Sequence, residues 1–239
     1  MRVIWKRELL SFFHTPIGFV VIGVFQGLAG VIFYLNNLRP LSGELLRFFS
    51  SLTLLTMLLS PMLTMRLLCE ERQRHTDQLL MTSPVSLARI VAGKFLSAAA
   101  VLLMAIVSTN VYTVIIGLYG TVYPGEWFVG YLGFTLQSLS FLALDMLVSC
   151  PARNQVSAAV FAFAANFVMW ILDVIVRLMP LGLLGEVFEF VSLYNRYEPF
   201  VLGQLSFANV LFYVLFIAVC VTATVRVLDG RRFSRGGAA

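Results

Sequence analysis

The side chains whose types and spacing could do chemistry are few in this sequence, and most sit in one stretch. It reads Met65-RLLCEERQRHTDQLLMTSPVSLARIVAGK-Phe95 and gathers Glu70, Glu71, Arg72, Arg74, His75 and Asp77. Acids and guanidinium groups mixed at this density make salt links to a docked protein, or stand as a solvated run. Metal chemistry is not indicated. His75 has only His14 as a fellow histidine, and Cys69, Cys150 and Cys220 each stand alone, with no ligand spacing. Nucleotide chemistry fares no better. The one Gly-Lys pair, Gly93-Lys94, is followed by Phe95, and Ala88 stands where a phosphate-cradling loop needs its first glycine. Ser140 near Asp145 is the nearest approach to a nucleophile with an acid partner. No histidine lies in any apolar stretch, so an intramembrane enzyme is disfavoured. Asp145 and Asp173 fall inside apolar stretches, where a charge costs about 2.5–3.5 kcal/mol at mid-membrane. Such residues line a pathway or pair within a bundle. Asp145 fits either role, while Arg177, four residues after Asp173, is a ready ion-pair partner.

The elements that must carry these residues follow from composition. Of 239 residues 59% are hydrophobic and 12% charged, with mean hydropathy +0.89. A soluble domain carries about 25% charged residues, so too few polar groups remain to cover a water-facing surface. A soluble enzyme, a disulfide scaffold and a disordered chain are all excluded. Six apolar stretches stand out: Ile17–Leu35, Phe48–Met65, Phe95–Tyr119, Trp127–Val148, Val156–Val176 and Phe207–Val227. Each is near the ~20 residues that a helix needs to cross a ~30 Å hydrocarbon core. None alternates with period two, so a barrel is disfavoured and the expected class is all-α, a polytopic membrane protein with six transmembrane helices. No repeat or second domain is visible, and 1–239 reads as one transmembrane domain.

Around the spans, residues 1–15 read as an amphipathic interfacial helix ended by Pro16, with no cleavable signal peptide. Residues 179–206 carry Pro180, Gly182, Gly185, Glu186, Glu189 and Pro199, too polar and broken to cross, and fit an extracytoplasmic re-entrant or interfacial segment. Residues 230–239 form a basic, glycine-rich tail. Gly23-x-x-x-Gly27 in the first span is a small-xxx-small pattern suited to helix packing. Only Arg39, Arg47, Arg177 and Arg196 fall outside when both termini are placed in the cytoplasm, and every other Lys and Arg falls inside. The positive-inside rule therefore favours cytoplasmic termini.

The loop at residues 66–94 faces the cytoplasm in that topology. Thr76 is placed to cap a short helix over Thr76–Met81, with Asp77 in its first turn and Leu79 and Leu80 as an apolar side. Pro84 ends it, and Ser86 is placed to cap the next helix. A short helix lying across the ends of two spans is the shape of a docking element.

The run Glu70-Glu71-Arg72, Thr76-Asp77-x-Leu79-Leu80, Ser83-Pro84-Val85-Ser86 and Gly93-Lys94 resembles the cytoplasmic loop of ABC-2 type transporter permeases. His75 stands where that family usually has glycine, and Asp77 where it usually has glutamate. The run Tyr194-Asn195-Arg196-Tyr197-Glu198-Pro199-Phe200 is similar to the gliding-motility type of permease. The resemblance implies a permease subunit of the bacterial inner membrane that exports its substrate. A separate ABC ATPase, in two copies, would drive it through a coupling site at Glu70, Glu71, Arg72, Thr76, Asp77, Leu79, Leu80 and Pro84. It implies a second permease chain, the same or related, and leaves room for an extracytoplasmic accessory subunit. No cofactor is expected on this chain; ATP and magnesium belong to the partner, and nucleic acid is not expected. The rival reading is a membrane component of an ATPase-driven motility or assembly complex that passes no substrate.

Overall fold

The computed structural model describes the backbone of residues 2–73, 86–178 and 192–236, and the side chains of 4–69, 86–175 and 192–230. Every regular element among the described residues is helical. In chain order these are α1 (Arg2–His14), α2 (Ile17–Phe33) continued by a π-helical turn (Tyr34–Leu38), α3 (Leu45–Gln73), α4 (Leu87–Ser108), α5 (Asn110–Tyr119), α6 (Pro124–Val148), α7 (Gln155–Leu178), α8 (Leu193–Val201) and α9 (Phe207–Gly236). Six helical stretches are long and apolar enough to cross a membrane: Ile17–Leu38, Leu45–Cys69, Leu87–Tyr119, Pro124–Ser149, Gln155–Ile175 and Phe207–Gly230. They coincide with the six expected spans. The third starts at Leu87, eight residues earlier than its apolar run, and so takes in Lys94, which is buried within the bundle.

The spans are not equivalent. In the second, third and fourth, 72%, 67% and 61% of the apolar window is buried, against 28%, 22% and 17% in the first, fifth and sixth. So α3, α4 and α6 form the centre, and α2, α7 and α9 present their outer faces to lipid. Gly23 and Gly27 belong to such an outer face. A Cβ at either would meet nothing within 4 Å, so the small-xxx-small pattern packs against none of the described residues.

One irregularity has a local cause. Between α4 and α5, Ser108, Thr109 and Asn110 each turn a side-chain donor back on the preceding turn, to Ala105 O, Ile106 O and Val107 O at 2.7, 2.6 and 2.9 Å. Three such bonds in succession compete with the backbone ladder and break the span at Thr109. Ser86 does precede α4 in extended conformation, as expected of a cap, yet its side chain makes no capping hydrogen bond.

Candidate coupling site and intramembrane polar seam

The charged loop leaves the bundle as the last turns of α3 and re-enters as the first turns of α4. α1 lies across both limbs. On the outgoing limb Arg66, 6% exposed, donates from Nη1 and Nη2 to Ser11 O and Ser11 Oγ at 3.5 and 3.3 Å. It also donates to Thr15 Oγ1 and stands 5.8 Å from the centre of the Phe12 ring. On the incoming limb Lys94, 2% exposed, donates from Nζ to Leu67 O at 2.7 Å and lies 3.6 Å from Glu8 Oε1. Leu67 belongs to the outgoing limb, so this one ammonium joins α1, α3 and α4. A buried cation persists only where acceptors replace water, and the carbonyl and carboxylate do so here. Gly93 has an equally local reason. A Cβ there would stand 3.1 Å from Ile4 Cγ2, so the missing side chain lets α1 approach α4 closely. Trp5 Nε1 donates to Leu96 O at 3.3 Å and fixes the start of α1.

Of the coupling residues expected from sequence, Glu70, Glu71 and Arg72 fall in the last turns of α3, with side chains outside those described. Thr76, Asp77, Leu79, Leu80 and Pro84, and with them the expected helix Thr76–Met81, lie outside the described residues.

A second polar cluster runs through the membrane. Thr53, Thr56, Ser60 and Thr64 recur at three- and four-residue spacing, share one face of α3, and are all buried. Thr53 Oγ1 donates to Gln137 Oε1 on α6 at 3.3 Å. Ser60 Oγ donates to Asp145 Oδ2 on α6 at 2.5 Å. Asn166 on α7 donates from Nδ2 to Ser60 Oγ at 3.4 Å and to Met57 O at 3.3 Å. The last bond has a specific cause. Pro61 lies inside α3 and has no N–H, so the Met57 carbonyl four residues earlier loses its helical donor. In lipid that carbonyl finds no water, and Asn166 from the neighbouring span satisfies it. Asp145 is fully buried between α3, α6 and α7. Ser140 donates instead to Leu136 O of its own helix at 2.9 Å, which turns it away from nucleophilic chemistry.

At the far end from α1 the seam is closed by α8. Ser192 caps this helix by accepting from Asn195 N at 3.0 Å, while its hydroxyl donates to Asp173 Oδ1 at 2.5 Å. Arg177, the partner expected for Asp173, has its side chain outside those described. The Leu193, Tyr197 and Phe200 side chains of α8 are buried against the bundle. Phe200 reaches so far that a Cβ on Gly133 of α6 would stand 2.5 Å from its Cβ and Cγ. Tyr213 on α9 donates to Leu193 O at 2.6 Å, and Tyr194 reaches Met57 Sδ at 3.2 Å. Burial pushes the phenol of Tyr194 above its ordinary value, with the Asp173 carboxylate adding to the rise, and burial raises Tyr197 as well. Both therefore remain protonated.

A family model described as ABC-2 family transporter protein matches residues 29–235, which takes in five of the six spans whole and the second half of the first from Ala29 on. The chain belongs to the ABC-2 transporter family. No curated protein matches it. Membership makes this a multi-pass membrane component without an ATPase of its own, of a kind that works in general with an ABC ATPase.

Several residues of this ABC-2 chain that hold the two clusters together are not legible as site residues in the sequence. Glu8 looks like one charge of an amphipathic helix, and Asn166 like a stray polar residue in an apolar run. A signal for the second existed. A proline inside a span predicts an orphaned carbonyl four residues earlier, and so a donor from a neighbouring helix. The stripe Thr53, Thr56, Ser60, Thr64 was likewise readable as a polar face.

Proposed function

We propose that this chain is the permease subunit of an ABC exporter of the bacterial inner membrane, both termini cytoplasmic, similar to the gliding-motility type. A separate nucleotide-binding subunit hydrolyses ATP, and its closure reaches the spans through the loop at residues 66–94. Two ATPase chains and two permease chains make the working unit, since six spans are half of a full ABC membrane domain. The observation that carries the reading is the bracing of the loop's two limbs. Arg66 and Leu67 on one limb and Gly93 and Lys94 on the other are tied through α1. A push on the intervening loop is therefore delivered to α3 and α4 together, the two most buried spans. Asp145 serves in this reading as a pairing group inside the bundle, since Ser60 already donates to it.

The test is the apolar side of the loop. Changing Leu79 and Leu80 together to Asp leaves the spans unaltered but puts two unpaired carboxylates into the docking contact. Burying them costs several kcal/mol, and each ~1.4 kcal/mol weakens the contact tenfold. Co-purification and stimulation of the ATPase are expected to be lost together, with membrane insertion retained. A double variant that holds the ATPase at wild-type stoichiometry refutes docking at this loop.

A further inference from the structure

The third span is pinned at its break and unsupported beyond it. α4 and α5 meet at Thr109, and one residue of α2 binds both sides of the joint. On the α4 side Gln26 donates from Nε2 to Ser108 Oγ and, at 3.4 Å, to Ala105 O. On the α5 side its own carbonyl accepts from the Tyr112 hydroxyl at 2.9 Å. Gly30 leaves room for that hydroxyl, since a Cβ there would stand 3.1 Å from it. The Tyr112 ring packs on Phe33 and Phe48, with ring centres 4.9 and 5.5 Å apart, and Asn110 Nδ2 donates to the Tyr131 hydroxyl of α6 at 3.3 Å. The base of α5 is therefore held.

The rest of α5 is not. Ile116 is its one buried residue. Thr113 Oγ1, the next polar group after Tyr112, has no hydrogen-bond partner. Val114 and Leu118 are exposed, so one flank of the helix meets lipid. Along another flank a cavity of about 390 Å³ separates Ile115, Ile116 and Tyr119 from the π-helical turn and the loop that follows it. That facing wall is laced together. Asn37 Nδ2 donates to Ser42 O and Glu44 O at 3.0 and 3.1 Å, and Ser42 N donates back to Asn37 O at 2.9 Å. The lacing holds Leu41 at φ 53°, a left-handed backbone uncommon for leucine. Of the two walls, α5 is the one with few contacts to give up when it moves.

We propose that α5 is a hinged flap, which turns about the Gln26 pin at Thr109 and closes on the loop, filling the cavity with its own side chains. The void leaves the side chains that line it without partner atoms on one side, and closure supplies them. Opening costs little in turn, because lipid tails are as apolar as the side chains they replace. At 1.5 Å per residue the 10 residues of α5 make a lever of about 15 Å. A bend of about 20°, the size of an ordinary helix kink, carries its tip about 5 Å and Tyr112 under about 2 Å. The pin at Gln26 thus survives a movement that shuts the cavity. In the topology proposed above this end faces out of the cell, where the flap sets how far the third span opens. That placement rests on the proposed function, and the hinge itself does not.

The test uses the purified full chain in lipid nanodiscs without an ATPase, so its result is independent of coupling. Spin labels are placed on Leu118→Cys and Phe207→Cys, 74% and 80% exposed, while the native cysteines are buried. Pulsed electron spin resonance is expected to give two distances about 5 Å apart. The control pair Leu41→Cys and Phe207→Cys, with its label on the laced loop, is expected to give one. Gly43→Leu fills the cavity without a close contact, because a Cβ there meets Ile116 Cγ2 at 3.8 Å and Thr121 O at 3.9 Å. It should remove one of the two distances, and Ile115→Trp does the same from α5 if Gly43→Leu does not fold. A single distance for the flap pair, as a lipid chain lodged permanently in the cavity would produce, overturns the proposal. Two distances that persist in a folded filling variant overturn it as well, since the movement would then not be into this space.

Discussion

The bond between Asn166 and the Met57 carbonyl makes a prediction that only the Pro61 argument supplies. Asn166→Leu removes the donor at 3.3 Å from Met57 O and leaves a main-chain acceptor at mid-span with neither protein nor water to serve it. It also removes the weaker bond to Ser60 Oγ at 3.4 Å. An unsatisfied buried carbonyl costs about 1–3 kcal/mol. Polar contacts measured inside membrane proteins average about 0.6 and reach about 1.7 kcal/mol, so roughly 1–2 kcal/mol is expected for the single variant. In Pro61→Ala the restored N–H at position 61 serves Met57 O from within α3, and Asn166 becomes dispensable for it. Asn166→Leu should then cost well under 1 kcal/mol, apart from the share due to Ser60. The assay is a double-mutant cycle read from reversible unfolding in mixed micelles, with a coupling of about 1 kcal/mol expected. A loss for Asn166→Leu that is the same in both backgrounds refutes the assignment of Asn166 to the carbonyl that proline frees.

Two more outcomes follow from the contacts already described. The Glu8–Lys94 pair is nearly closed off from water on the lysine side, 2% exposed against 16% for the glutamate, so a Glu8→Gln and Lys94→Met cycle should show coupling of about 1–2 kcal/mol that persists in high salt. Coupling that vanishes at raised ionic strength would place the pair in solvent and dissolve the brace between α1 and the loop. Gly133→Val drives a side chain into Phe200, already 2.5 Å from the Cβ position, and should destabilise by about 1–3 kcal/mol or more. Phe200→Ala should relieve most of that loss, and a folded Gly133→Val variant as stable as wild type would show that α8 does not seat against α6.

What the sequence determined by itself is whatever depends on composition and local period. Six apolar runs of spanning length appear as six spanning helices, because lipid leaves a backbone no other way to satisfy its own hydrogen bonds. The break after α1 follows from Pro16, and the loop motif pointed to the family that residues 29–235 match. Tertiary structure decided which helices are central: lower hydropathy sets α3 and α6 apart from the lipid-facing three, but α4 is as apolar as α9 and only packing places it at the centre. It also decided partners that lie far apart in sequence. Lys94 meets Glu8, Asp145 meets Ser60, and Asn166 meets the carbonyl that Pro61 freed, across 86, 85 and 109 positions. A hydrophobicity pattern reports which face of a helix turns inward and nothing about which face it meets. The choice among buried polar residues is made by the few donors and acceptors that the bundle brings within reach of one another.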